Sequence, residues 1–358
     1  MNNKKGGNSM TSQEIKEIAK RLGADEVAIG SIDRWEGAPS QQDPRLIMPK
    51  AKSIIAMSFR VFRGSLRGIE EGTYFSNYSA MGYGGITYLY MPMTIINMCK
   101  VIEDEGYEAV PYGHQSDWRA IDNKGYVIPN RARPVAPGKP VPDIMVNLRI
   151  AAFLCGLGEI GYSKMFLSPK FGPRCRVGII ITEMELEPDP IMEPGTLCNR
   201  CMACVRECPG GCIPKDKTVK VTLGGKEVEW ADVDMDRCSM VFMGAEVAGE
   251  GERDDYMSGP NGNGRRGYKP TWFNPFYQKP KQLYKTGKAI CGAAGCTRAC
   301  YASMERRGVL TNKFKEPFRE KGWKPWRLDW SEGAIELDEP APYTPPYEKK
   351  TEEKFYAD

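Results

Sequence analysis

The sequence predicts an α+β fold in which a mixed helix and strand region precedes a cysteine-rich module, and three observations predict it. Apolar residues recur at helix spacing and strand spacing by turns through the first half of the chain. Glycine (38) and proline (27) are frequent enough to favour turns and long loops over a helical bundle. Most of the 12 cysteines fall beyond residue 197, separated by short gaps that suit metal binding better than disulfides.

At 358 residues and 41% hydrophobic, the chain can bury a substantial core. Its 50 Lys and Arg against 46 Asp and Glu leave a net charge of +4, which gives no strong case for nucleic acid. The first ten residues are polar and basic, with no apolar segment or twin-arginine signal behind them. No run of about 20 apolar residues occurs, so the expected location is the cytoplasm.

Taken in order, the elements read as follows. Residues 11–22 open on a capping box, Thr11 with Glu14, carry Ile15, Ile18, Ala19 and Leu22 on one face, and stop at Gly23: a helix. Residues 26–30 and 53–61 are rich in apolar and β-branched residues and predict strands. Helix spacing returns at 94–105 and ends at Gly106, before a strand at 107–110. A Pro- and Gly-rich irregular insertion is expected between His114 and Asp143. A helix is expected over 143–157 and a buried strand over 177–183. Gly156-Leu-Gly-Glu-Ile-Gly161 imitates a dinucleotide-binding fingerprint, but a helical pattern precedes it where that fingerprint needs a strand.

Cys198-x2-Cys201-x2-Cys204-x3-Cys208-Pro209 is the run used by two-cluster ferredoxins. Three closely spaced thiolates wrap one four-iron cluster, and the fourth, carried away at the proline, serves the other. Cys238, Cys291, Cys296 and Cys300 complete the sets. The expected arrangement is two 4Fe-4S clusters, one on Cys198, Cys201, Cys204 and Cys300, the other on Cys208, Cys238, Cys291 and Cys296. Zinc also uses Cys-x2-Cys pairs, though rarely the triple run with its proline. Cys212 is the competing ligand, because it lies only four residues past Cys208. Cys99, Cys155 and Cys175 sit in apolar contexts and read as buried free thiols.

Several segments, in order, resemble the corrinoid-dependent reductive dehalogenases and the related epoxyqueuosine reductases. They are Ala19-Lys-Arg-Leu-Gly-Ala-Asp25, Pro49-Lys-Ala-Lys-Ser-Ile-Ile55, Gly106-Tyr-Glu-Ala-Val-Pro-Tyr-Gly113, Gly156-Leu-Gly-Glu-Ile-Gly161 and Phe171-Gly-Pro-Arg-Cys-Arg176, followed by the cysteine module. The resemblance implies a nitroreductase-like, cobalamin-binding α/β core over residues 1–185. It implies a ferredoxin-like module over 186–310 with an insertion at 244–287, and a tail, 311–358, packed on the core. The implied cofactors are the two clusters and a base-off cobalamin. With a single histidine and no Asp-x-His-x-x-Gly pattern, histidine ligation of cobalt is not expected.

By the same resemblance Tyr88 is the proton donor and Arg176 the cation that lowers its pKa. His114 stands where the family often has a substrate-orienting asparagine. Gly156, Gly158, Gly161 and Asp143 are implied as cofactor-binding, and Asp143 lies near the aspartate used by epoxyqueuosine reductases. The implied activity is reductive removal of halogen from a small organohalide, with electrons from a low-potential donor such as ferredoxin or flavodoxin. The alternatives are an epoxyqueuosine-reductase-like enzyme acting on tRNA, and a two-cluster electron carrier without catalysis of its own.

Overall fold

The computed structural model describes residues 10–71, 73–74, 76–114, 134–140, 142–242, 245–247, 268–270 and 290–318. Most of the expected insertion over 114–143, most of the insertion at 244–287 and all but the first residues of the expected tail lie outside that set.

Helix α1 (Ser12–Arg21) begins as the sequence predicts. Thr11 N donates to Glu14 Oε2 at 2.8 Å and Glu14 N donates to Thr11 Oγ1 at 3.2 Å, so the capping box is complete. The chain then forms strands β1 (Glu26–Ser31) and β2 (Ser53–Arg60), helix α2 (Arg63–Glu70), a π-helix over Tyr78–Tyr90, helix α3 (Met91–Asp104) and strand β3 (Ala109–Tyr112). Helix α4 (Leu148–Leu154), the short strands β4 (Glu159–Ile160) and β5 (Phe166–Leu167), and β6 (Cys175–Thr182) follow.

Helix α4 is shorter than the sequence predicts. Asn147 accepts from the backbone N–H groups of Arg149 and Ile150 and starts the helix there, while ahead of it Met145 N bonds Gln41 O at 2.9 Å outside any helix. The helix ends in a Schellman motif, with Gly156 N bonded to Phe153 O and Leu157 N to Ala152 O.

Four strands make one sheet in the order β1-β2-β6-β3, and every neighbouring pair is antiparallel. β2 is buried on both faces, which explains its unbroken apolar run. Ile54 and Ala56 face a core with α4 residues Ala152 and Phe153 and with Trp35. Ile55 and Met57 face the other core, with Ile15 and Ala19 of α1 and Ile95, Met98 and Ile102 of α3. The molecule is therefore a mixed helix and sheet fold whose central sheet is covered on both sides.

The cysteine region adds α5 (Ala203–Arg206), a hairpin of β7 (Thr218–Leu223) and β8 (Lys226–Ala231), α6 (Met235–Phe242), β9 (Ala245–Val247) paired with β10 (Tyr268–Pro270), α7 (Ile290–Ala294) and α8 (Cys296–Arg306). Val228 and Trp230 of β8 join the α4 side of the core. Among the described residues no helix is long and apolar enough to cross a membrane.

Candidate functional site

The cysteine loop is fixed at its start by Glu159, 1% exposed, whose carboxylate accepts from Leu197 N and Cys198 N, both at 2.8 Å. Burial nevertheless raises its pKa, against the lowering effect of those N–H groups. Two non-glycine residues between the cysteines are left-handed, Arg200 at φ 54° and Met202 at φ 57°. Each such residue costs about 1–2 kcal/mol, and in this loop Cys198, Cys201 and Cys204 border one cavity. Backbone strain of this kind concentrates at ligand clamps.

Cys198, Cys201, Cys204 and Cys300 line one small cavity, together with Gly161. Cys208, Cys238, Cys291 and Cys296 line a second, larger one, together with Cys212 and Cys175, the latter expected from the sequence as a buried free thiol. Cys296 and Cys300, four residues apart on α8, thus contribute to different cavities. Among the described residues no three His, Cys, Asp or Glu side chains are close enough to share a single metal ion; the two sets of four surround cavities instead.

Backbone and hydroxyl groups bond these sulfurs. Tyr162 N donates to Cys198 Sγ at 3.3 Å, Cys212 N donates to Cys208 Sγ at 3.3 Å, and Cys201 Sγ lies 3.2 Å from Ser303 Oγ. Burial pushes Cys204 up to about 11 and Cys296 up to about 12, each aided by neighbouring cysteines, and raises Cys291 and Cys300 well above the usual thiol range. The Cys208 thiol is lowered, chiefly by its contact with Cys212. Buried thiolates that repel one another are stable together only around positive charge, which is the condition a metal cluster supplies as it displaces their protons. The donor sets fit 4Fe-4S clusters.

The larger cavity, about 290 Å³, is lined besides its cysteines by Tyr78, Tyr83, His114, Arg149, Lys164 and Arg176. Phe166, Val177, Val241 and Phe242 give it apolar walls. Arg176 Nη2 donates to Tyr78 Oη at 2.8 Å, and its guanidinium carbon lies 4.8 Å from the Tyr83 ring centre. Burial raises the pKa of Tyr78, while the charge and hydrogen bond of Arg176 act to lower it. The Tyr83 and Tyr88 hydroxyls are 3.0 Å apart, and the His114 ring meets Tyr88 edge-on at 5.7 Å.

The tyrosine bonded to Arg176 is therefore Tyr78, which the sequence reading missed, whereas Tyr88 reaches the cavity through Tyr83 and is not itself in the lining. The π-helix accounts for the arrangement: its i→i+5 period stacks Tyr78, Tyr83 and Tyr88 along one face. The readable signal was the recurrence of tyrosine at every fifth position.

The expected cofactor-binding glycines stand in close packing. Gly156, at φ +84°, is the helix-ending glycine of α4, and a Cβ there would lie 2.2 Å from Pro190 O. A Cβ on Gly158 would lie 2.1 Å from Leu167 O, and one on Gly161 would lie 2.8 Å from Leu167 Cδ1. Gly156 and Gly158 are closed against protein and line neither cavity; Gly161 borders the smaller one. Asp143 accepts from Gln41 Nε2 through its backbone carbonyl at 2.8 Å and is not part of either lining.

Fold and site together define an α+β protein with two cysteine-lined cavities, one with four cysteines and the other with six together with tyrosine and arginine side chains. No family model matches the chain. Over 72 residues it is 38% identical to the tetrachloroethene reductive dehalogenases of Desulfitobacterium hafniense and Dehalobacter restrictus, a stretch that is 20% of this chain and 13% of those proteins. Over 60 residues it is 37% identical to the tetrachloroethene reductive dehalogenase of Sulfurospirillum multivorans, 16% of this chain and 12% of that protein. Among solved structures it resembles the catabolic reductive dehalogenase NpRdhA at 20% identity and a TM-score of 0.43, covering 66% of this chain and 30% of that one. It also resembles epoxyqueuosine reductase from Bacillus subtilis at 14% identity and a TM-score of 0.42, covering 83% of this chain and 82% of that one. The chain thus matches only a small part of its curated relatives' length, and those relatives are oxidoreductases.

Proposed function

We propose that the protein is a reductase of the reductive dehalogenase kind, acting on a small organohalide with the aid of two 4Fe-4S clusters and a base-off corrinoid. The observation that carries this is the separation of eight cysteines into two sets of four, one of which shares its cavity with the Arg176–Tyr78 pair. When bound, the clusters would supply single electrons and the corrinoid a strongly reducing cobalt.

The cavity of about 290 Å³ is of a size for a small substrate.

Tyr78 is the group best placed to give a proton. Its oxygen accepts from Arg176, which leaves its own O–H free to point at a reacting carbon, and Arg176 stabilises the phenolate left behind. The apolar residues beside the pair lower the local dielectric, which strengthens that charge interaction. Arg149 and Lys164 add positive charge beside the cysteines, and no carboxylate is among the described lining residues. Asp143, on which an epoxyqueuosine-type reaction would rest, is not in the lining.

The test compares two variants. Tyr78→Phe should lower turnover with reduced viologen about 10²-fold or more, while iron and corrinoid content stay at the parental level. Tyr88→Phe should keep most of the activity. A near-complete loss in Tyr88→Phe with little effect of Tyr78→Phe would assign the proton to Tyr88 and contradict this account.

A further inference from the structure

We propose that Ser303 and Arg307 supply the hydrogen-bond donor and the positive charge that raise the reduction potential of the cluster held by Cys198, Cys201, Cys204 and Cys300. The inference rests on reading those four cysteines as one ligand set.

Cys300, Ser303 and Arg307 stand at i, i+3 and i+7 along α8 and its C-terminal cap, a spacing that brings them to one helix face. All three line the smaller cavity with the other three cysteines. Ser303 is 7% exposed, and its Oγ lies 3.2 Å from Cys201 Sγ. A cysteine bound to iron has given up its proton, so in the loaded site the hydroxyl is the one of the two that can donate. Arg307 Nη2 donates to Leu197 O at 2.8 Å, which ties its guanidinium to the start of the ligand loop. Arg307 Nε is buried and has no hydrogen-bond partner among the described residues. A buried donor left without an acceptor is costly, and a negatively charged cluster in the cavity removes that cost. The other arginine of the lining, Arg200, is paired with Glu229 at 2.6 Å, whereas Arg307 makes no ion pair among the described residues. No carboxylate is among the described residues of this lining.

A hydroxyl that donates to a ligand sulfur draws electron density from it, and a guanidinium beside the cluster offsets its negative charge. The reduced cluster, which carries one negative charge more, gains more from both than the oxidised one, and the potential rises. The cluster beside Ser303 and Arg307 is thereby the readier acceptor of an incoming electron.

The experiment uses the full chain, reconstituted anaerobically, with iron analysis, electron paramagnetic resonance and a potentiometric titration. Cys201→Ser first identifies which signals belong to this cluster, by altering them. Ser303→Ala and Arg307→Gln should each keep the parental iron content while the midpoint potential of that cluster moves to a more negative value and the other stays. Arg307→Lys keeps the charge and should move less than Arg307→Gln. In electron–nuclear double resonance, an exchangeable proton coupled to this cluster in the parent should be missing from Ser303→Ala. Unchanged potentials in Ser303→Ala and Arg307→Gln would overturn the proposal, as would a shift confined to the other cluster. If Ser303→Ala does not fold, Ser303→Thr, which keeps the hydroxyl, decides: a near-parental potential supports the proposal, and an altered one overturns it. A parent chain that binds fewer than about eight irons would fail the ligand reading itself, before either residue is changed.

Discussion

Glu159 sits at the junction between the sheet-side core and the cysteine loop. Its buried carboxylate accepts from the backbone of Leu197 and of Cys198 itself, so it fixes where the first ligand stands. Hydrogen bonds to a charged group are worth about 1.5–3 kcal/mol each, and removing the acceptor leaves two N–H groups unpaired. Glu159→Ala should therefore lower stability by about 3 kcal/mol in urea denaturation and reduce iron retained by the Cys198 set. Glu159→Gln, which keeps one acceptor oxygen, should lose less. The cysteines were legible in the sequence because ligand spacing is itself the chemistry. The tyrosine bonded to Arg176 was not, because an i→i+5 helix has no place among the 3.6- and 2-residue periods from which elements are read.

Helix ends show what local signals do and do not carry. The Thr11 capping box and the stops at Gly23 and Gly106 follow from the sequence and occur as expected, with Gly23 at φ +123° and Gly106 at φ +89°. Helix α4 departs because Asn147 outcompetes the earlier residues as a cap. The β7–β8 hairpin, absent from the sequence reading, was legible: Val219, Val221 and Leu223 alternate up to Gly224-Gly225, at φ 55° and 78°, and Val228 and Trp230 alternate after it. The packing of the glycines after α4 against Pro190 and Leu167 is not apparent from the local pattern. Gly156→Ala should destabilise the protein by about 2–4 kcal/mol, adding a steric clash to left-handed strain. Gly195→Ala, at φ +89° but with nothing within 4 Å, should cost only about 1 kcal/mol. Thermal or urea midpoints of the two variants would separate the terms.

Across the whole molecule, the alternation of helix and strand correctly indicated a mixed fold, but strand direction was not legible in it. The sheet is antiparallel throughout, with β6 arriving from far along the chain to lie between β2 and β3. That placement brings Cys175 and Arg176, at the start of β6, to the larger cavity beside α6, α7 and α8. The site is thus assembled from segments distant in sequence, and its two sulfur sets are joined through α8, which gives Cys296 to one and Cys300 to the other. Iron and acid-labile sulfide analysis of the anaerobically reconstituted chain tests this arrangement most directly. About eight irons per chain are expected, from two four-iron groups; about four, or a single tetrahedral zinc in their place, would contradict it.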